Sequence, residues 1–341
     1  MPGNRGKNEN LALAMRTAAG LSAAAVTAYG VYLMGRRGGR RPPATELPNA
    51  LGLPLRYQAW RDGLCYAYHA TKGSGPPLVL LHSVHPAATS MEVKPLLRLR
   101  EMREGSRPCL VPEWLGFGHS DRPDVRYDPQ LFEDQLEHFL LQRLPDEERA
   151  DIVAHGVGAA YAAFVAARRP ERIRSLVLIE PTPLREEPAR IGSAWSRLLF
   201  TLPGIQRAFF DRVTQRGSIE AFYRRFFFGE AGTVPPELLD HAVRSVRIEG
   251  ASRPLDDILR GRVFPADLME ALLRLRIPLL IVRGTDDRRR PEPYRDLPEL
   301  VDRVNVHLAT VDAGGMPQWE RTEEVLGAIR EFFDSVVEEG R

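Results

Sequence analysis

The chain has two cysteines in 341 residues, Cys65 and Cys109, each inside a strand-like apolar run. Two are too few for a disulfide framework, and they lack metal-ligand spacing, so neither a cystine-stapled scaffold nor a thiolate zinc module is expected. Buried free thiols are the simpler reading. Net charge is equally sparse: 47 Lys and Arg stand against 45 Asp and Glu, leaving +2, with no excess of either sign to recruit nucleic acid. There is no internal repeat, and no low-complexity stretch beyond the N-terminus. No metal and no organic cofactor is expected. Long apolar runs are also missing, with one exception near the start.

That exception is Thr17 to Gly35, TAAGLSAAAVTAYGVYLMG, which carries no charge and as a helix is long enough to cross a bilayer. Arg16 precedes it, and Arg36, Arg37, Arg40 and Arg41 follow. A retained single-pass anchor is expected. A cleaved signal peptide and an Ala-rich helix packed on protein are the competing readings. Arg5, Lys7 and Arg16 before the span are slightly outnumbered by the four arginines after it, which favours a cytoplasmic C-terminal body. Residues 36–54, rich in Gly, Pro and Arg, read as a basic linker.

The rest, with 43% hydrophobic and 27% charged residues overall, is long enough for one large α/β domain with an insertion or for two ordinary domains. Short apolar runs predict strands at Leu55–Trp60, Cys65–His69, Leu78–Leu81, Cys109–Val111, Asp151–Ala154, Ser175–Ile179, Leu279–Val282 and Val304–Ala309. Continuous apolar strands alternating with helical patterns mean a mainly parallel sheet covered on both faces. Between Glu180 and Arg276 the alternation stops. There the chain reads as helices, including Ile219 to Phe228, where Ile219, Phe222, Tyr223 and Phe226 share one face. Such an insertion would be a helical cap, taken as 183–275 between core segments 55–182 and 276–341.

Five segments in order resemble the α/β-hydrolase-fold superfamily: LVLLHSVHP (Leu78 to Pro86), VPEWLGFGHSDRP (Val111 to Pro123), DIVAHGVGAAYAAFVAARRPERIRSLVLIEP (Asp151 to Pro181), LLIVRGTDD (Leu279 to Asp287) and DAGGMPQWERTEEV (Asp312 to Val325). The resemblance covers about the whole body from Arg56 and implies a mainly parallel eight-stranded sheet with a helical cap. It says little by itself about activity.

The resemblance also shows what is missing. The family's G-x-S-x-G elbow aligns with Ala154, His155, Gly156, Val157 and Gly158, so Gly156 stands where the nucleophilic serine belongs. The histidine segment aligns with Asp312 to Pro317, and Gly315 stands at the histidine. Glycine can neither form an acyl-enzyme nor act as general base. Asp287 matches the acid, with Asp286 one register away, but has no histidine to orient. A loop carboxylate paired with Arg288 to Arg290 is the favoured reading of Asp287. By resemblance, backbone N–H groups of Val84 and Val157 would be the oxyanion donors, and an anion-accepting nook is expected to persist. Pocket candidates are His82, Ser83, His155 and Met316. Ser83 replaces the glycine of the family's His-Gly turn, and His155 is expected to point away from the pocket. His82, His119 and Ser120 are expected to be structural. The expected function is a membrane-anchored pseudoenzyme that binds an apolar ligand, or a membrane-protein partner as scaffold. The competing class is an unorthodox hydrolase or lyase on small ester-like or apolar substrates.

Overall fold

The computed structural model describes residues 46–101, 105–182, 209–230, 232–286, 297, 300 and 303–339. The expected span at 17–35, the first part of the expected cap (183–208) and Asp287 lie outside the described residues. No helix among the described residues is long and apolar enough to cross a membrane.

Eight strands form one sheet: β1 (Leu55–Ala59), β2 (Cys65–Thr71), β3 (Leu78–Leu81), β4 (Cys109–Pro112), β5 (Ala150–His155), β6 (Ile173–Ile179), β7 (Leu279–Gly284) and β8 (Val306–Val311). Their spatial order is β1-β2-β4-β3-β5-β6-β7-β8. The β1–β2 and β2–β4 pairs are antiparallel, and the other pairs are parallel. Strands β3, β5 and β7 are buried along their whole length, as parallel strands with helices on both faces must be. Side chains alternate between two apolar cores: Ile152 and Ala154 of β5 face one, and Val153 the other. The last strand begins two residues later than Val304, which is 95% exposed. Asn305 ends the preceding turn by donating its side-chain amide to the Ile277 carbonyl, 2.9 Å away.

Helix α1 (Pro129–Arg143) starts where Asp128 caps the Leu131 N–H and Pro129 presets the first turn. Helix α2 (Gly156–Arg168) follows β5 with no intervening residue. Its run of Gly and Ala lets it lie close to the sheet, with Gly158 against the His82 carbonyl. Between β6 and β7 come α3 (Arg216–Phe226), α4 (Pro236–Ser245), α5 (Arg253–Leu259) and α6 (Leu268–Arg274). In α3, Ile219 and Tyr223 are buried, Phe222 and Phe226 pack beside them, and Arg224 and Arg225 face solvent. Helices α7 (Pro317–Glu320) and α8 (Thr322–Glu339) end the described chain.

Both thiols are free. Cys65 begins β2 opposite Ala59, while Cys109 pairs with Thr71 at the other end of that strand. Six residues of strand, about 20 Å, separate the two positions, so they cannot pair within the chain.

Candidate functional site

The parallel strands aim their carboxyl ends at one edge, where β5 turns directly into α2. Gly156 takes it at φ +59°, the left-handed conformation that glycine adopts without a Cβ penalty. The space beside it is filled. A Cβ added to Gly156 would stand 2.9 Å from Ser83 Cβ and would overlap Ser83 Oγ outright. The space where a side chain at Gly156 would stand is occupied by the Ser83 side chain from the loop after β3.

Ser83 Oγ also accepts the Val157 N–H at 3.1 Å. This corrects the expected anion-accepting nook: one of its two donors is already satisfied by a side chain.

Ser83 is held by a buried carboxylate absent from the expected site. Its N–H donates to Glu92 Oε2 at 2.9 Å. Glu92 lies in the 3-10 segment Ser90–Arg100, where it completes a capping box with Thr89. His85 Nε2 lies 2.8 Å from Glu92 Oε1, and His155 Nδ1 lies 3.2 Å from Oε2. Burial works to raise the Glu92 pKa, but the two imidazoles outweigh it and hold the carboxyl well below its usual range. His155 is fully buried, and its Nε2 donates to the Gly315 carbonyl at 2.9 Å. It thus ties the elbow strand to the loop where a catalytic histidine would sit. From the cap, Phe227 lays its ring 4.7 Å from that of His85 and 6.1 Å from that of His155.

The remaining expected residues are structural in placement. His82 Nδ1 donates to the Ser83 carbonyl at 2.7 Å, and the Trp114 indole donates to the His82 carbonyl at 2.8 Å. Complete burial lowers the His82 pKa and keeps the ring neutral. Val84 is buried, and Met316 is buried at the start of α7. Ser120 Oγ donates to the Glu113 carbonyl and accepts the Ala67 N–H. Asp286, the neighbouring register for the acid, accepts the Glu230 N–H at 2.6 Å. Beside it, Glu320 accepts the N–H groups of Gly229 (2.9 Å) and Gly314 (2.6 Å) and so clamps the cap to the Gly314-Gly315 loop.

Buried or half-buried carboxylates that the sequence reading missed include Glu92, Glu113, Glu180 and Glu320. Glu180 ends β6 in a left-handed conformation (φ +49°) and accepts the Gly284 N–H at 2.6 Å. The available signal was a single acid closing an otherwise apolar strand run.

The geometry agrees with known proteins. Residues 76–322 match the family model described as alpha/beta hydrolase fold. A 2-hydroxymuconate semialdehyde hydrolase from Pseudomonas sp. strain CF600 is 36% identical over 108 residues, 31% of this chain and 37% of that enzyme. The matched part thus spans little more than a third of that relative's length. A 2-(acetamidomethylene)succinate hydrolase from Mesorhizobium japonicum is 27% identical over 64% of this chain and 73% of its own length. Among solved structures, a haloalkane dehalogenase from Agrobacterium tumefaciens C58 superposes with a TM-score of 0.64 at 18% identity, covering 85% of this chain and all of that one. A bacterial membrane phospholipase A gives 0.61 at 22% identity, over 96% of this chain and 97% of its own. With its sheet order, its elbow and more than half of its length matched, the chain belongs to the α/β-hydrolase-fold family.

Proposed function

We propose that this protein is a hydrolase-fold pseudoenzyme, tethered to a membrane through residues 17–35, that serves as a ligand-binding or scaffold subunit of a membrane complex. The observation that carries this reading is that Ser83 occupies the space where a side chain at Gly156 would stand. An acyl-transfer site needs a nucleophile at the elbow, a base within about 3 Å of its proton, and free donors for the oxyanion. Here the elbow has no side chain, the base position is Gly315, and the Val157 donor is bonded to Ser83. The imidazole nearest the elbow in sequence, His155, spends both ring nitrogens on Glu92 and on the Gly315 carbonyl. The aromatic face of α3 against His85 favours the scaffold role over a deep ligand pocket.

One observation favours the competing reading of an unorthodox enzyme: a serine hydroxyl does lie at the elbow, and the curated relatives include hydrolases. A fluorophosphonate probe separates the two. The pseudoenzyme remains unlabelled, whereas labelling that vanishes in Ser83→Ala makes Ser83 a nucleophile and removes the proposal. Ligand binding and scaffolding separate in turn. A lipid retained in native mass spectrometry supports the first. A complex recovered from solubilised membranes, and lost on deleting 17–35, supports the second.

A further inference from the structure

We infer that His69, Glu113 and His119 form a binding site for a divalent transition ion of the zinc class, away from the elbow. The three come from separate places: His69 from β2, Glu113 from the end of β4, and His119 from the glycine turn that follows. One donor atom from each lies within 4.8 Å of the others. Glu113 Oε1 is 3.4 Å from His69 Nε2, and Oε2 is 3.0 Å from His119 Nδ1. Ligands on a tetrahedral zinc stand about 3.3 Å apart, so little movement is needed to receive the ion.

The hydrogen bonds around the cluster explain why a cation belongs there. His119 Nε2 donates to the Leu47 carbonyl at 3.0 Å, so in the neutral ring Nδ1 is a lone pair. That lone pair faces a carboxylate oxygen. Two acceptors 3.0 Å apart need positive charge between or beside them, either a proton or a metal ion. An imidazole whose far N–H is fixed on a backbone carbonyl is the arrangement in which histidine ligates metals. His69 Nδ1 and His241 Nδ1 are both buried and without a hydrogen-bond partner among the described residues. On α4, His241 donates Nε2 to the Pro48 carbonyl at 3.0 Å, which leaves its Nδ1 a buried lone pair. It lies within electrostatic reach of all three proposed ligands.

The loop is built around the carboxylate. Gly118 takes φ +53°, and a Cβ there would stand 2.6 Å from Glu113 Oε1. The His119 N–H donates to Oε2 at 2.6 Å, and Ser90 Oγ donates to Oε1. His119 is the ligand with a path to solvent, its side chain being 11% exposed. An ion here fastens strand β2 to the loop after β4 and, through the His119 Nε2 hydrogen bond, steadies the chain segment at Leu47. Its role is to hold these parts of the core together, independently of any chemistry at Gly156.

The test uses the full-length, untagged chain in detergent, stripped with chelator and titrated with Co²⁺ alone. Uptake of one equivalent with visible absorption bands of a four- or five-coordinate nitrogen/oxygen site is expected, together with a Zn²⁺-dependent rise in Tm. Both should be lost in His69→Ala and in His119→Ala. Absence of stoichiometric uptake by the natural chain overturns the inference, whatever the variants do. Uptake that persists in folded His69→Ala and His119→Ala also overturns it, by assigning the ion to other histidines.

Discussion

Gly156 and Ser83 are a coupled pair, and their coupling can be measured. Gly156→Ser alone puts a Cβ at positive φ and into the space of Ser83, which together should cost about 2 to 4 kcal/mol. In a Ser83→Gly background the packing share disappears, so a double-mutant cycle in urea should return a favourable coupling of about 1 to 3 kcal/mol. Additive losses would show that the two side chains do not compete for one space. A second residue-scale expectation concerns His82, which burial holds neutral with its pKa below 6.5. The unfolded chain takes up that proton as pH falls through about 6.5, and the folded chain does not. The contribution of His82 is therefore full above pH 6.5 and declines as pH falls towards its folded value. The slope of stability between about pH 7 and 5 should flatten in His82→Gln if that variant folds. An unchanged slope would place the proton uptake elsewhere. That Gly156 makes the turn between β5 and α2 was readable because motif register assigns a residue to a position. That Ser83 fills the space beside it was not, because register says nothing of where a side chain 73 positions away comes to rest.

At the scale of elements, the strands were legible because both-face burial leaves uninterrupted apolar runs such as LVLL and SLVLI. Helix α3 was legible from the spacing of Ile219, Phe222, Tyr223 and Phe226. The fastenings between elements were not, since they join polar atoms from distant segments. Glu320 is one such case. Burial raises its pKa against the pull of the Gly229 and Gly314 N–H groups it accepts. Glu320→Ala should speed amide exchange at Gly229 and Gly314 about tenfold, the effect of losing one net hydrogen bond of ~1 to 1.5 kcal/mol at each. Exchange unchanged at both would mean that packing at Phe227 and Phe228 alone holds the cap. The His69, Glu113 and His119 cluster escaped the sequence reading for the same reason: its members span 50 residues, and a cysteine count is silent about imidazole and carboxylate donors. Burial on β4 pushes the Cys109 thiol up to about 12. A thiol reagent should therefore modify half-buried Cys65 in the native protein and reach Cys109 only on unfolding. Equal rates would contradict the strand placement of Cys109.

For the whole molecule, the body has the family's sheet and cap elements, while the proposed membrane attachment rests on the composition of residues 17–35. Carbonate extraction of membranes should leave the full chain in the pellet and release a chain starting at Pro42. Release of both would remove the anchor from the proposal and leave the fold untouched. The central claim is that a hydrolase frame has been kept while its nucleophile space was handed to a serine with no base. Ester turnover by the natural chain, across acyl esters of several lengths and beside Ser83→Ala, tests this most directly. Rates indistinguishable from uncatalysed hydrolysis in both proteins are expected, while saturable turnover by the natural chain that Ser83→Ala abolishes would contradict the claim.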